Sequence, residues 1–293
     1  MKILLLGKNG QVGWELQRAL APLGELVALD HAGADFSNPE SLAAKVRAVA
    51  PQIIVNAAAH TAVDKAESEP ELARAINAIA PAVLAREAAA SGAWIVHYST
   101  DYVFDGSGTR PWTEDSPTAP LSVYGRTKLE GEQAIRASGA RHLIFRTSWV
   151  YAARGGNFAK TMLRLAKERD RLTVINDQIG APTGADLLAD LTAHALRTAQ
   201  QQPAVAGTYH AVAAGETSWH GYAQHVIEWA RAAGQPIKVG VDAIEPVPTS
   251  AFPTPAQRPG NSRMNAHKLQ QTFGLTLPRW QTGVERMLTE VLT

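Results

Sequence analysis

A tyrosine and a lysine stand four residues apart in Tyr124-Gly125-Arg126-Thr127-Lys128, where a helix is predicted to begin. Positions i and i+4 of a helix share a face, so phenol and amine project together. A free tyrosine ionises near pH 10, too high for easy proton exchange at neutral pH, roughly three pH units away. A neighbouring ammonium favours the phenolate and brings that value down. The pair is suited to protonating a carbonyl oxygen as hydride arrives at its carbon. Just upstream, Tyr98-Ser99-Thr100-Asp101-Tyr102-Val103-Phe104 offers the Thr100 hydroxyl to the same carbonyl. A Tyr-x-x-x-Lys spacing alone also occurs on solvated helix faces. Its meaning here comes from the hydroxyl before it and from a nucleotide-type turn at the start of the chain.

That turn is Gly7-Lys8-Asn9-Gly10-Gln11-Val12-Gly13, between an apolar run and a helical pattern. Glycines there permit a tight turn, close approach of backbone to a pyrophosphate, and packing of helix on strand, while the helix N-terminus supplies N–H groups for phosphates. The spacing is G-x-x-G-x-x-G rather than the standard G-x-G-x-x-G. Asp30 closes the next apolar run. An acid at that point binds adenosine ribose hydroxyls and disfavours a 2′-phosphate, which favours NADH. Lys8 and His31 are nearby cations able to accept the extra phosphate, so NADPH stays open. The small residues Asn56 to Thr61 follow a third apolar run; they leave room for a ligand or simply pack helix on strand.

The elements that must position these groups alternate regularly. Lys2–Leu6, Leu26–Leu29, Ile53–Val55, Trp94–Tyr98 and Leu143–Arg146 are expected strands. Helices are expected over Gln11–Leu20, Ser41–Val49 with Ser37 or Asn38 as cap, Glu69–Ile79, Ala82–Ser91 and Ser122–Ala137. Continuous apolar strands separated by helices predict an α/β fold, a doubly wound parallel (Rossmann) sheet. A smaller α/β substrate domain is expected mainly from the C-terminal half. There Phe158–Lys167, Leu187–Thr198, Tyr222–Ala233 and Gln281–Leu292 have helical patterns, and the Pro-rich 246–259 is mostly loop. We expect residues 1–150, with a returning segment of about 171–200, to form the dinucleotide domain. About 151–170 and 201–293 would then form the substrate domain.

Composition excludes several classes. With 293 residues the chain buries a core without staples. It has no cysteine, so disulfides and thiolate zinc sites are ruled out. Twenty-eight basic and 27 acidic residues give a net charge of +1, with no basic run of the kind that binds nucleic acid. The apolar start is too short for a signal core or membrane span, so a cytoplasmic address is expected.

On these motifs the chain resembles the extended short-chain dehydrogenase/reductase family, and within it the nucleotide-sugar reductases that close dTDP-L-rhamnose synthesis. The most specific stretches are Gly7 to Glu15, Asn56 to Glu69, Tyr98 to Phe104, Tyr124 to Lys128, Phe145 to Tyr151, Ile175 to Gly184 and Arg258 to Arg263. The resemblance implies NADPH, with NADH also accepted, reducing the C4 ketone of a dTDP-linked 4-keto-6-deoxy sugar for surface polysaccharides such as lipopolysaccharide O-antigen. Thr100, Tyr124 and Lys128 would be catalytic, with Lys128 also on the nicotinamide ribose. Gly7, Gly10, Gln11, Val12, Gly13, Asp30, Asp35, Phe36, Ala59, His60, Thr61 and Tyr98 would line the dinucleotide. Thr100, Asp101 and Trp149 would face the nucleotide sugar. Glu15, Asp186 and Glu290 match a magnesium site between the subunits of a homodimer, a pattern that also describes three ordinary surface acids.

Some residues keep two readings. Trp149 covers a deoxysugar or fills core. Arg258 and Arg263 clamp a diphosphate or sit solvated at the surface. His60 touches cofactor or packs. Two other functions share the scaffold: a nucleotide-sugar epimerase or dehydratase, and a non-catalytic NADP-binding regulatory subunit. A dehydratase needs an Asp-Glu pair beside the catalytic threonine. Here Thr100 is followed by Asp101-Tyr102, and the intact Thr100, Tyr124 and Lys128 set argues against a regulatory subunit.

Overall fold

Six strands lie parallel in one sheet: Lys2–Leu6 (β1), Glu25–Leu29 (β2), Ile53–Asn56 (β3), Trp94–Thr100 (β4), Arg141–Thr147 (β5) and Gly207–His210 (β6). This computed structural model describes residues 1–292. The strand order is β6-β5-β4-β3-β1-β2, so the direction of winding reverses between β1 and β3. Ligands of open α/β sheets bind beyond the carboxyl ends of the strands at such a reversal.

Both faces of the sheet are covered, which is why its strands are continuously apolar. In β1, Ile3 and Leu5 point to one side and Leu4 and Leu6 to the other, and all four are fully buried. The first side packs against Leu16 and Leu20 of helix α1 (Gln11–Leu20) and against Leu188, Leu191 and Ala195 of Ala185–Gln201. The second packs against α2 (Pro39–Val49), capped by Asn38, whose carbonyl accepts the Ser41 N–H at 3.0 Å, and against Ala80–Ser91. Each aliphatic side chain so buried contributes about 1.5–3 kcal/mol of transfer free energy. A second core gathers Tyr151, Leu163, Leu172, Tyr222, Val226, Trp280 and Leu288 from the C-terminal half.

Three details depart from expectation. The two helices expected over 69–79 and 82–91 run on without a break: Pro70–Arg74 and Ala80–Ser91 are joined by a π turn, Ala75–Ile79. A wide turn absorbs the missing N–H of Pro81, which in a regular α-helix would force a break. The sixth strand, Gly-Thr-Tyr-His, was not foreseen, being too short and polar to stand out; pairing with Leu143–Arg146 makes it a strand. Finally, Ile244–Val247 pairs with Leu172–Ile175, carrying Pro246 in a two-stranded edge. Two segments thus cross the expected division: Leu172–Ile175 lies in the second core and Gly207–His210 in the main sheet.

Candidate active site

A cleft of about 750 Å³ opens at the carboxyl ends of β1, β3, β4 and β5. The glycine turn forms one wall. Gly7 has φ +87°, and a side chain there would run into the Ala57–Ala58 backbone, so only glycine lets these two loops meet. Its N–H and that of Lys8 bond the Leu29 carbonyl at 2.9 and 3.1 Å, tying the turn to β2. A side chain at Gly13 would collide with the Gly7 carbonyl. Gly10 caps α1 with no side chain bonding the first-turn N–H groups, which leaves them to an anion. The Gln11 side chain lies in the same place, its Oε1 buried without a donor, so the groups open to an anion are the backbone N–H donors. These residues fit a dinucleotide pyrophosphate.

Of the residues expected to hold the dinucleotide, Gly7, Gly10, Gln11, Val12, Asp30, Phe36, Ala59, Thr61 and Tyr98 line the cleft, with Tyr124 and Lys128. Three do not. Gly13 is buried in helix packing. Asp35 instead accepts the Ser37 N–H and hydroxyl at 2.8 and 2.7 Å. His60 turns its ring towards Glu69, 3.7 Å away. Asp30 takes Lys8 at 3.4 Å, with the Gly33 N–H and then Lys8 holding its carboxyl below the usual range.

Thr100, at the end of β4, donates to Asp101 at 3.0 Å and accepts the Tyr102 N–H at 3.2 Å. Ser122 caps helix α4 (Val123–Ala137; Ala80–Ser91 is α3), accepting the Gly125 N–H at 3.2 Å, and so fixes the turn that carries Tyr124. Burial pushes the Tyr124 phenol up to about 12, against the pull of the Thr100 hydroxyl. The expectation that Lys128 draws this phenol down is therefore not met. The lysine is turned elsewhere: it donates to the Tyr98 carbonyl at 2.6 Å and lies 3.2 Å from His97 Nε2. Burial brings its own value down to about 8. Asp101 is buried and pushed up to about 6 by desolvation, against hydrogen bonds from the Ser262 and Thr100 hydroxyls.

On the substrate side Trp149 lines the cleft in a left-handed conformation, φ +50°, stacked on Trp219 at 3.7 Å between ring centres. Left-handed backbone at a bulky residue is strained, and such strain collects at functional sites. Arg258 lies outside the cleft. It grips Asp64 through two hydrogen bonds, 3.1 and 2.8 Å, and so ties the C-terminal half to the loop after β3. Arg263 is paired with Glu216 at 2.8 Å. Each found a carboxylate that sequence spacing could not reveal.

Glu15, Asp186 and Glu290 do converge on a separate small hollow. As a magnesium site they do not fit. Arg286 occupies Asp186 at 3.0 Å and Arg18 approaches Glu15 at 3.6 Å. Among the described residues no three His, Cys, Asp or Glu groups lie close enough to hold a metal. Guanidinium groups already pair with two of the three acids that a cation would need.

Sequence reasoning missed two residues that build the site. Trp219 lies seventy residues from its stacking partner. Asn77, in the π turn, accepts the His60 N–H at 2.8 Å and donates to the His60 carbonyl at 3.1 Å and to Thr127 at 3.2 Å. It thereby pins the Ala59–Thr61 loop to the helix of Tyr124 and Lys128. The Asn in a run before Pro81 was the available signal.

The family model described as the RmlD substrate binding domain matches residues 1–293. A dTDP-4-dehydrorhamnose reductase of Escherichia coli K12 is 63% identical, over 100% of this chain and 99% of the relative. The crystal structure of a dTDP-4-dehydrorhamnose reductase from Clostridium acetobutylicum superposes with TM-score 0.90 at 38% identity, covering 100% of both chains. One from Bacillus anthracis, in complex with NADP, gives 0.88 at 35%, covering 99% of each.

Proposed function

Because the chain belongs to the dTDP-4-dehydrorhamnose reductase family, we propose that it reduces the C4 ketone of dTDP-4-dehydro-6-deoxy-L-mannose to dTDP-L-rhamnose with NADPH. The observation that carries this reading is the convergence of Thr100, Tyr124 and Lys128 with the glycine turn in one cleft. When bound, the nicotinamide supplies hydride to the ketone carbon. Tyr124 gives its proton to the oxygen as it becomes an alkoxide, and a phenol near 12 is fully protonated at neutral pH to do so. Thr100 turns its O–H from Asp101 to the carbonyl. Lys128 holds the nicotinamide ribose. Trp149, backed by Trp219, covers the sugar's apolar face, and Asp101 accepts a sugar hydroxyl.

The same reading takes residues 1–150 with about 171–200 as the half that holds the dinucleotide, and 151–170 with 201–293 as the half that holds the nucleotide sugar, except that Leu172–Ile175 belongs with the second half and Gly207–His210 with the first. It also takes the protein as a cytoplasmic homodimer. No helix among the described residues is long and apolar enough to cross a membrane. No step passes through a metal.

The test is NADPH oxidation with the 4-keto sugar generated in place, in dTDP and UDP forms. Loss of reduced cofactor equal to the sugar consumed supports a reductase. An epimerase or dehydratase regenerates its cofactor within each cycle, so turnover without net loss would overturn the reading. Sedimentation at micromolar concentration reads the dimer.

A further inference from the structure

His97 is a titratable group that the hydride step does not use, yet it touches the lysine that the step needs. It stands in β4, 1% exposed, opposite Asn56 of β3 in the sheet register. The Asn56 amide is oriented by the chain: its Oδ1 accepts the Ala58 N–H at 3.1 Å. Its NH₂ therefore faces His97, with Nδ2 3.1 Å from ring Nδ1. A neutral imidazole has one N–H and one bare nitrogen. Because Nδ1 accepts from the amide, the hydrogen sits on Nε2. That nitrogen is 3.2 Å from Lys128 Nζ. An N–H aimed at a lysine nitrogen finds a lone pair on the amine and none on the ammonium.

We propose that His97, its tautomer set by Asn56, is a positioning residue that turns Lys128 to the Tyr98 carbonyl and makes it hold its proton less tightly. The inference rests on the reductase reading for its kinetic consequence, not for its geometry. The other ionisable groups around Lys128 are few. Glu132, one turn further along the helix, favours the ammonium, but it is itself bound by Arg146 at 2.7 Å and Arg136 at 2.9 Å. Tyr124, one turn earlier, is neutral, and Asp101 acts on Tyr124. The imidazole stays uncharged at neutral pH, since burial and then the Lys128 charge hold it well below its ordinary value. A loosely held lysine proton is available to the tyrosinate left after each turnover, so removing the arrangement shifts where alkali stops the enzyme.

Two measurements test this. Ring-nitrogen NMR of histidine-labelled native protein, assigned by the resonances lost in His97→Gln, reads the tautomer directly, with and without NADP. We expect Nε2 protonated and Nδ1 bare through neutral pH; hydrogen on Nδ1 overturns the proposal whatever the enzyme reduces. In Asn56→Asp a carboxylate replaces the amide donor and draws the hydrogen to Nδ1, leaving Nε2 to accept from the ammonium. The alkaline midpoint of kcat against pH then rises by about one unit, a roughly tenfold gain in relative rate above the native midpoint. An unmoved midpoint in a folded variant, with its tautomer switched, also overturns the proposal. Absence of NADPH oxidation in the native enzyme would count against the reductase reading alone and leave the tautomer result standing.

Discussion

In the proposed reaction two acids that line the cleft, Tyr124 and Asp101, have opposite requirements. Tyr124 must keep its proton until the alkoxide forms, and burial ensures that it does. Tyr124→Phe removes the proton and little volume, so NADPH affinity, read by fluorescence titration, should persist while kcat falls by about 10²–10⁴. Native-like turnover in that variant would falsify the role. Asp101 faces the other way: as a carboxylate it accepts at both oxygens, and protonation turns one of them into a donor. With its carboxyl near 6, kcat/KM is expected to fall as pH drops through about 6, and Asp101→Asn should flatten that limb while lowering the plateau. The sign for stability is opposite. A carboxyl raised above its unfolded value near 4 is penalised when ionised, so it costs stability above about pH 6. Asp101→Asn is thus expected to melt higher at pH 8, the usual exchange of activity for stability. A lower melting point there contradicts the desolvated carboxyl. That Thr100, Tyr124 and Lys128 line one cleft was legible in sequence because each sits in a local motif. The Asp64 partner of Arg258 and the Glu216 partner of Arg263 were not, since each pair joins residues distant along the chain.

The element that organises the site is the long helix from Pro70 to Ser91, with its π turn. Helical spacing was plain on either side, but Pro81 argued for a gap, and periodicity has no signal for a wide turn. The turn places Asn77 against α4, and Gly131 makes the approach possible, because a side chain there would meet the Asn77 carbonyl. Asn77→Ala leaves the His60 N–H and carbonyl without their partner, at about 1–3 kcal/mol. It also frees the loop that carries Ala59 and Thr61. Both the denaturation midpoint and NADPH affinity should therefore drop; loss of stability with unchanged affinity would restrict Asn77 to scaffolding. A second tie is ionic. Glu132 of α4, fully buried, takes Arg146 of β5 at 2.9 and 2.7 Å and Ser99 of β4 at 2.5 Å. Arg146→Met leaves that buried carboxylate to Arg136 and Ser99 alone and is expected to lower stability in urea unfolding, by at most the roughly 3–5 kcal/mol of a fully uncompensated buried charge.

Across the whole molecule, order at the cleft follows from strand order: the reversal between β1 and β3 opens the crevice, and β4 and β5 feed its floor. The doubly wound architecture was readable from alternating apolar runs and helical spacing. The edge strand β6 was not, because Gly207–His210 gains its conformation from β5 rather than from its own residues. That edge carries a consequence for the entire fold. His210 is fully buried, and burial followed by the Arg146 charge brings it down to about 3, against the backbone groups of Trp112 and Asn265 beside it. His97 is held low as well. In the unfolded chain both take up protons near pH 6.5. Between about 6.5 and 3, therefore, the unfolded state binds more protons, and stability must fall as pH falls. Melting temperature should decline from neutral pH towards pH 5, and His210→Leu should reduce that slope, with Phe104 and its neighbours accepting the apolar side chain. An equal slope in native protein and variant would show that His210 is charged or hydrated in the folded state.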